Sequence, residues 1–369
     1  MNRTLLWDAG PGEIRAGLVE DGKLTEFRII RPWRTEWPVA VGEQYTARIL
    51  ENLGDGKALV SLGGAIEALL EHAPRVPEGT LLAVEMVRPP IPEPGRWKRA
   101  LVRARSDVAG RKSEGCHQSG KQPWESFLLE WHDKVDRISC SDAFAVKQVF
   151  QYFGPHGLLA KPDPEAIENA DFDSLIEAAA KGEFAIEGGM LSIERTRAMT
   201  TIDIDGGKDP VALNLAAASE IPRLLRLLDI GGQVGIDFLS MPDRKSRQLV
   251  DSALAGACDT LGPHERTAMN GFGFVQIVRP RSRPSIPEIV CETTPGRISV
   301  SSRAVALLRA AARSCGHGKR QLVAAPPIIE HLRNWPDELE MLRASLGAEI
   351  ELVPDSSING YGYVHVSHN

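Results

Sequence analysis

The sequence lacks the cysteine pattern of a disulfide framework or of a structural zinc site. Its five cysteines are odd in number and scattered along the chain, and no two of them form a C-x-x-C pair. They are Cys116, Cys140, Cys258, Cys291 and Cys315. We therefore expect a protein of a reducing compartment, the cytoplasm.

Long apolar runs are missing as well. No stretch reaches membrane-spanning length without charged residues. The N-terminus lacks the unbroken apolar core of a signal peptide, because it includes Arg3, Asp8 and Glu13. With 369 residues, of which 43% are hydrophobic and 25% charged, the chain can bury a sizeable core and form two or three domains. We expect a soluble protein without a membrane partner.

A surplus of positive charge is also absent, since the formal net charge is −6. Basic residues are nevertheless clustered. Residues 88–112 contain eight basic residues against two acidic ones, residues 279–283 read RPRSR, and Arg244, Lys245 and Arg247 form a third group. One such cluster is typical of a solvated surface. Three of them together favour a polyanionic substrate.

Hydrophobic patterning predicts short strands in the first third of the chain. Alternation over residues 4–7, 13–19 and 23–29 predicts a small β meander. A second β-rich block suits a five-stranded barrel of the OB type, with strands over 44–50, 57–62, 65–70 and 81–88. The polar residues 106–122 predict a linker.

Helices and strands alternate in the remaining chain, which predicts a mixed α/β fold. Helices are expected over 141–153, 164–180, 213–228 and 243–261, and strands over 188–196 and 267–278. Pro222 should kink or restart the third helix, and Asp243 should cap the fourth. The last residues predict a small α/β unit, with helices over 301–313 and 328–346 and strands over 321–325 and 349–353.

Two strands with carboxylates at their ends carry the strongest chemical signal. Asp203 and Asp205 stand at positions i and i+2, so both leave the same face of a strand. Asp237 follows an apolar strand of the kind that is buried in a parallel sheet. A helix between the strands can set Asp203 beside Asp237, where two carboxylates repel each other unless a cation lies between them. The pattern predicts a divalent metal site.

The sequence around these acids resembles the catalytic segment of the ribonuclease E/G family. The resemblance rests on GGMLSIERTRAMTTIDID at 188–205, NLAAASEI at 214–221, LRLLDIGG at 225–232 and IDF at 236–238. These strings occur in the family's order and at similar spacing. The match is specific over residues 188–283 and weaker elsewhere.

The family plan implies an α+β mosaic of subdomains. An RNase H-like subdomain is interrupted by an S1 barrel and resumes before a DNase I-like catalytic subdomain. The expected segments are 1–36 (RNase H-like, first part), 37–106 (S1/OB-like barrel), 107–139 (linker or remnant of a 5′ sensor), 140–199 (RNase H-like, second part), 200–290 (DNase I-like) and 291–369 (small C-terminal α/β domain).

The resemblance also implies an activity: endonucleolytic hydrolysis of single-stranded RNA that leaves 5′-phosphate ends. Two aspartates of the family hold one Mg²⁺, with Mn²⁺ as the alternative ion, and the matching positions are Asp203 and Asp237. The metal would polarise the scissile phosphate and activate water. Asp205 stands where the family has Asn and adds a third carboxylate near the metal.

Seven basic residues are expected to contact RNA, although each is also compatible with an ordinary charged surface. They are Arg88, Lys98 and Arg99 of the barrel block and Lys208, Arg244, Lys245 and Arg247 near the acids.

The chain departs from the family pattern in three features. Leu59 and Leu69 occupy the barrel positions where the family stacks aromatic rings on RNA bases, although Lys98 retains a basic contact beside Trp97. The segment that should sense a 5′-monophosphate is too short. Cys291 stands alone where a C-P-x-C zinc motif is expected, so we expect no zinc. A homodimer could form through the C-terminal unit, but not a zinc-linked one.

Two alternatives stay open. One is a non-catalytic RNA-binding or scaffold protein derived from the same family, which the lost aromatics, sensor and zinc motif favour. The other is a metal-dependent enzyme for a smaller phosphorylated substrate, with the barrel as a structural insert. The presence of both Asp203 and Asp237 argues against the first, and the basic residues of 88–112 argue against the second.

Overall fold

The fold was analysed in a computed structural model, which describes residues 2–31, 41–64, 66–105, 113–118, 131, 134–153 and 160–367. Two compact units are present, one of residues 1–31, 135–181 and 290–369 and one of residues 32–134 and 182–289. No helix of the described residues is long and apolar enough to cross a membrane.

The strands are β1 (Arg3–Gly10), β2 (Glu13–Glu20), β3 (Lys23–Ile30), β4 (Gln44–Gly54), β5 (Lys57–Ser61), β6 (Glu67–Glu71), β7 (Leu81–Arg88), β8 (Ile91–Glu93), β9 (Arg96–Lys98), β10 (Ala100–Ala104), β11 (Gly115–Gln118), β12 (Arg137–Cys140), β13 (Ala160–Pro162), β14 (Glu183–Ile186), β15 (Gly189–Arg195), β16 (Thr200–Gly206), β17 (Gly232–Asp237), β18 (Glu265–Arg266), β19 (Phe274–Arg279), β20 (Lys319–Ala324), β21 (Ile350–Pro354) and β22 (Tyr363–Ser367).

The helices are α1 (Ala143–Phe153), α2 (Pro164–Asn169), α3 (Phe172–Lys181), α4 (Pro210–Leu227), α5 (Arg244–Cys258), α6 (Ile286–Cys291), α7 (Val300–Ala312), α8 (Pro326–Arg333) and α9 (Pro336–Leu346). A short 3₁₀ turn, Asp259–Leu261, follows α5.

The first unit contains a five-stranded sheet in the order β13-β12-β1-β2-β3. The antiparallel hairpins β1–β2 and β2–β3 confirm the predicted meander, and β12 joins it in parallel with β1. The C-terminal residues form a second sheet, β21-β20-β22, on which the apolar faces of α7, α8 and α9 pack. The sequence predicted this α/β unit but missed its antiparallel strand β22.

The first unit also buries a group of paired charges. The Glu13 carboxylate accepts hydrogen bonds from Arg15 Nε at 2.7 Å and Arg31 Nε at 3.0 Å. Arg309 of α7 donates to the Glu13 carbonyl at 3.0 Å and pairs with Asp8. All five side chains are buried. Because a buried charge is costly unless it is paired, these contacts tie α7 to the β1–β2 hairpin.

The second unit begins with a closed five-stranded barrel of the OB type. Its strands pair in the order β4-β5-β6-β10-β7, and β7 pairs again with β4. Alternate residues point inward to a core that includes Ile49, Val60, Leu70 and Val102. The fifth strand, β10, was not predicted. In the predicted linker, most of which lies outside the described residues, β11 adds to β4 in antiparallel fashion.

The second unit also contains a six-stranded sheet in the order β14-β15-β16-β17-β19-β18. Its first hairpin, β14–β15, pairs with β16, so the sheet starts at Glu183. The apolar alternation of residues 188–196 predicted a strand but could not show which sheet it joins. Pairing partners are long-range information that a local pattern does not contain.

Several predicted elements are interrupted in the structure. The helix expected over 164–180 is broken by Asp171, whose φ of 44° lies in the left-handed region. The helix expected over 328–346 is broken before Pro336, which cannot donate a helical hydrogen bond. In contrast, α4 runs unbroken through Pro222. Of the strand expected over 267–278, only the part from Phe274 onward is a strand, in β19, and the short strand β18 lies before the predicted range.

The buried Glu13 predicts a specific acid sensitivity of the first unit. Burial alone would raise the pKa of Glu13, but Arg15, Arg31 and Arg309 outweigh burial and lower that pKa from 4.5 to about 2. Because the folded pKa lies below the unfolded one, ionised Glu13 stabilises the fold above about pH 4.5. This stabilisation, on the order of 3 kcal/mol, is lost as the pH falls toward 2.

We expect Glu13→Gln to lower the free energy of unfolding by about 3–5 kcal/mol at pH 7, because it removes the buried carboxylate that Arg15 and Arg31 share. Urea unfolding between pH 7 and pH 3 measures the effect, and the variant should lose less stability on acidification than the parent. The control is Glu340→Gln, which breaks only an exposed pair with Arg343 on α9 and should change neither quantity. Equal stability of Glu13→Gln and the parent would contradict the role of this carboxylate.

Candidate functional site

Asp203 and Asp237 lie directly opposite each other on neighbouring strands. Strands β16 and β17 pair in parallel, in a register that joins Thr200 to Val234 and Asp203 to Asp237. Helix α4 makes the crossover between them. Ile202 and Ile236 point into the core, whereas both aspartates are exposed at the carboxyl end of the parallel ladder, where Asp237 is the last residue of β17 and Asp203 is the last residue of β16 that pairs with it. The strand–helix–strand arrangement expected from the sequence is therefore present.

Asp205 lies beyond this pair. It pairs with Met190 of β15, while β17 ends at Asp237 and offers it no partner in the parallel ladder. Asp205 shares the exposed face of β16 with Asp203, as the two-residue spacing predicted. The structure therefore brings two carboxylates into register and places the third one step further along the same edge.

The donors at this edge suit a hard cation. No group of three or more His, Cys, Asp or Glu side chains with metal-binding geometry occurs in the part of the chain that the structure describes. Asp203 and Asp237 supply carboxylate oxygens only. Mg²⁺ is commonly held by one or two carboxylates, with water and substrate phosphate completing its shell, whereas structural zinc needs four protein ligands, mostly Cys and His. The site therefore fits Mg²⁺ or Mn²⁺.

A buried asparagine fixes the segment that follows Asp237. Asn214 of α4 is fully buried, and its side chain donates to the Leu239 carbonyl at 2.9 Å. The same amide accepts from the Leu239 backbone N–H at 3.1 Å. The Asn214 side chain thus makes the hydrogen bonds that a neighbouring strand would otherwise make, because Leu239 lies beyond the end of β17. Sequence reasoning assigned Asn214 no role; its only signal is a polar residue within the apolar face of α4.

The open face of the sheet carries an aromatic ring beside the acids. Phe274 of β19 pairs in register with Asp237. A Cβ atom added to Gly235 would lie 2.8 Å from the Phe274 ring and 3.1 Å from the Met199 sulfur. The ring therefore lies across β17 on the face that carries Asp237, and Gly235 leaves the space for it. No local sequence pattern indicates this contact.

Four of the predicted RNA-binding residues lie at the same edge as the acids. Lys208 follows β16, and Arg244, Lys245 and Arg247 form the first turn of α5 beyond β17. Within the described residues none of the four forms an ion pair with a carboxylate. Asp243 caps α5 by accepting from Ser246 N–H at 2.8 Å, which confirms the predicted N-cap. These cations are thus available to an anionic ligand.

The barrel residues Arg88 and Lys98 belong to a second basic group, which includes Arg281. Partial burial and the nearby Arg88 and Arg281 lower the pKa of Lys98. Burial and Arg281 likewise lower the pKa of Arg88. A bound anion is expected to stabilise the charged forms of these cations, which destabilise one another. Glu93, at 3.3 Å from Arg281, and Glu288 offset part of this charge.

The two basic groups lie at opposite ends of β17. Arg281 lies next to Gly231 at the start of the strand, since a Cβ atom at Gly231 would be 3.1 Å from the Arg281 Cα. Asp237 ends the strand, about 17 Å from its first residue, Gly232, at the rise of an extended chain. The structure therefore does not bring Arg88 and Lys98 together with the acids. It separates them by the length of one strand.

Arg99 differs from Lys98, although it is also exposed. Its guanidinium is paired with Glu67 of β6 at 3.1 Å. Its backbone carbonyl accepts a hydrogen bond from Arg88 at 3.0 Å. Of the neighbouring residues Lys98 and Arg99, only Lys98 lacks an ion pair with a carboxylate in the described part of the chain.

The basic run of residues 279–283 is structural, contrary to the sequence-based interpretation. Arg279 donates to the carbonyls of Leu225 and Ile230, at 2.8 and 2.7 Å, and so closes the end of α4. Arg281 pairs with Glu93 and Glu288, and Arg283 pairs with Asp229. All three side chains are half-buried. Charge pattern alone cannot distinguish guanidinium groups used inside a fold from those offered to a ligand.

The outer face of the barrel carries leucines in place of aromatic rings. Leu59 and Leu69 lie directly opposite each other on β5 and β6, and Leu101 of β10 continues the row. Arg88 of β7 lies at its end, opposite Leu101. The row is half-buried and cannot stack on bases as aromatic rings do.

Cys291 stands alone at the position where the resemblance implies a zinc motif. It is the last residue of α6 and is buried. Its sulfur lies 3.8 Å from the Ala180 carbonyl. The segment predicted to replace the 5′ sensor lies largely outside the described residues.

Comparisons with known proteins place similarity in the segment that carries the acids. Residues 128–282 match the model of the ribonuclease E/G family. Ribonuclease G of Escherichia coli K12 is 33% identical over 138 residues, which cover 34% of this chain and 28% of that protein. Ribonuclease G of Haemophilus influenzae is 32% identical over 216 residues, or 55% of this chain and 39% of that protein.

A chloroplastic ribonuclease E/G-like protein of Arabidopsis thaliana is 34% identical over 117 residues, which cover 28% of this chain and 12% of that protein. The similarity thus spans less than half the length of each of these relatives.

The two hydrogen bonds of Asn214 generate a prediction that does not depend on activity. Asn214→Leu replaces the amide with an apolar side chain and removes both bonds to Leu239. We expect a loss of about 1–3 kcal/mol in unfolding free energy, because the buried Leu239 groups lose their partner. Hydrogen exchange at the Leu239 amide should accelerate. The control Ser219→Ala, at an exposed site on the same helix, should leave that amide protected. Unchanged exchange in Asn214→Leu would refute the bracing role.

Proposed function

We propose that this chain, which belongs to the ribonuclease E/G family through residues 128–282, is a metal-dependent endoribonuclease that cuts single-stranded RNA and leaves 5′-phosphate ends. The observation that carries the proposal is the register pair of Asp203 and Asp237 at the carboxyl end of the parallel β16–β17 ladder. Such edges hold the ligands of many α/β sheets. Two carboxylates this close repel each other, and a divalent cation relieves that repulsion.

Asp203 and Asp237 would hold Mg²⁺, or Mn²⁺ in its place, and Asp205 would add charge from the next position of β16. When bound, the ion polarises the scissile phosphate and activates water. In the overall reaction one water oxygen bonds to phosphorus and the bond from phosphorus to the 3′ oxygen breaks. The 3′ oxygen takes up a proton, so the products are a 3′-hydroxyl and a 5′-phosphate.

The cations at the acid edge would bind the phosphates that flank the scissile bond. Lys208, Arg244, Lys245 and Arg247 surround the ends of β16 and β17 and have no carboxylate partners among the described residues. Arg88 and Lys98, at the start of β17, would bind the RNA backbone at a distance. Because the barrel strands offer leucines at Leu59 and Leu69, we propose that the S1-like barrel grips phosphates more than bases.

The family's subdomain plan is part of the proposal. The sheet of β1–β3, β12 and β13 would correspond to the RNase H-like subdomain, and the sheet of β14–β19 with α4 and α5 to the DNase I-like subdomain. The C-terminal unit of β20–β22 could pair subunits without zinc.

We expect Asp203→Asn and Asp237→Asn each to reduce cleavage of an internally labelled, unstructured RNA by at least about a hundredfold in Mg²⁺, because a neutral amide is a poor ligand for this cation. Both side chains are exposed, so the thermal unfolding midpoint should stay within a few degrees of the parent. Gel analysis of the products and calorimetry measure the two quantities. Asp205→Asn, which restores the family residue, serves as the matched comparison and should keep activity with an altered metal dependence.

Three outcomes decide between the alternatives. Parent protein that binds RNA but never cuts it with any divalent metal would establish the RNA-binding scaffold. Cleavage that survives both substitutions would show that the metal site is elsewhere. Hydrolysis of small phosphate esters without RNA cleavage would favour the smaller substrate.

The barrel contacts predict a difference between neighbouring cations. Lys98→Ala should weaken RNA binding uniformly across sequences and should reduce the slope of log K against log salt concentration by about 0.7, the value for one phosphate contact on a single strand. Arg99→Ala should have a much smaller effect, because Arg99 is already paired with Glu67 at 3.1 Å. Fluorescence anisotropy titrations at several salt concentrations provide the measurement. Equal slopes for Lys98→Ala and the parent protein would remove Lys98 from the interface.

A further inference from the structure

Phe272 is the most exposed large apolar side chain of the described residues, with 88% of its surface accessible. A single exposed apolar residue is ordinary and needs no ligand to explain it. The surroundings of Phe272 are not ordinary, because this ring projects from a tightly braced turn next to the candidate metal carboxylates.

Asn270 determines the shape of this turn. Its side-chain oxygen accepts from the backbone N–H groups of Phe272, at 2.8 Å, and of Phe274, at 3.0 Å. Its own backbone N–H donates to the Phe274 carbonyl at 3.1 Å. Gly273 completes the turn with a φ of 89°, and a Cβ atom there would lie 2.9 Å from the Phe238 carbonyl oxygen. The backbone on both sides of Phe272 is therefore fixed before any ligand binds.

The turn is bonded to the strand that carries Asp237. The Phe238 backbone N–H, directly after Asp237, donates to the Gly273 carbonyl at 3.2 Å. Phe274 is the register partner of Asp237, and opposite residues of an antiparallel pair lie about 4.5–5.5 Å apart at their Cα atoms. Phe272 thus lies two residues beyond the partner of a metal carboxylate, at the edge where Lys208 and Arg244 offer positive charge.

The five strands of the barrel do not supply the aromatic platform that single-stranded RNA uses elsewhere, although Trp97 of β9 is exposed beside Lys98. The five barrel strands contain one aromatic residue, Tyr45, which is buried and donates to Glu43 at 2.6 Å. Proteins that bind single strands combine cations for the backbone with aromatic rings for the bases. In the sheet that carries the acids, Phe272 provides such a ring and the cations stand beside it.

We propose that Phe272 is a base-stacking residue of this site: its ring receives one unpaired RNA base close to the phosphate held at Asp203 and Asp237. The inference deepens the proposed nuclease function and rests on it. The preformed turn means that little conformational entropy is lost when the base stacks. Stacking is tolerant of sequence, because every base has an aromatic face. The contact therefore selects an unstacked, single-stranded base over a duplex.

The test compares Phe272→Ala, Phe272→Leu and Phe272→Trp in the full chain. Steady-state cleavage of an unstructured RNA gives kcat/KM, and anisotropy gives the Kd in an Asp203→Asn background, where no cleavage interferes. Removal of one stacked base should reduce kcat/KM and raise Kd by about fivefold or more. Phe272→Trp should retain parent values, and Phe272→Leu, which is apolar but cannot stack, should behave as Phe272→Ala. Phe144→Ala removes a ring that is 57% exposed on α1 and serves as the control without effect.

A single abasic nucleotide walked along the RNA identifies the stacked base. In the parent, one position should reproduce the loss seen for Phe272→Ala. In Phe272→Ala that position should give no further loss.

The outcomes separate this inference from the function on which it rests. Parent cleavage with parent values for Phe272→Ala overturns the stacking role and leaves the nuclease intact. Absence of cleavage by the parent overturns the nuclease, and the Kd values then decide the stacking role. A change in oligomeric state of Phe272→Ala by light scattering, with unchanged RNA affinity, would assign the ring to a protein contact and overturn the inference.

Discussion

The parallel register of β16 on β17 is the constraint on which the candidate site depends. Side chains alternate along a strand, so a slip of one residue would turn Asp237 into the core while Asp203 stayed outside. Apolar packing prevents this slip, because Ile202 and Ile236 are both buried on the inner face. The same burial that stabilises the sheet therefore holds two mutually repelling carboxylates side by side. The same register therefore serves both the stability of the core and the geometry of the candidate metal site.

Much of this pair could be predicted from the sequence, because its determinants are local. Alternating Ile and Asp residues specify a half-exposed strand, and the apolar run before Asp237 specifies a buried one. The contacts that brace the pair could not be predicted, since they join residues distant in the chain. Asn214 holds Leu239 across a helix and a strand, and the Phe274 ring lies on Gly235 of the neighbouring strand. A local pattern shows that Asn214 is polar, but not which backbone it will meet.

The arginines show the same limit for charge. Sequence reasoning treated residues 279–283 and residues 88–112 alike, as basic clusters suited to a polyanion. In the fold, Arg279 closes the end of α4 and Arg283 pairs with Asp229, so neither is offered to a ligand. Lys98 is placed among other cations, and they lower its pKa together with partial burial. Whether a cation is neutralised internally depends on the carboxylates that folding brings to it, and these are remote in the sequence.

The separation of the two basic groups determines how each could serve an RNA cleaved at the acid pair. Contacts at Arg88 and Lys98, about one strand length from Asp237, cannot change as the phosphate at the metal reacts. They would bind substrate and transition state equally and so contribute affinity and placement. Lys208 and Arg244 lie at the edge where negative charge develops, so their attraction can increase in the transition state. Under the proposed function, the remote cations would hold the polymer and the adjacent ones would serve the chemistry, with β17 as the rigid spacer between them.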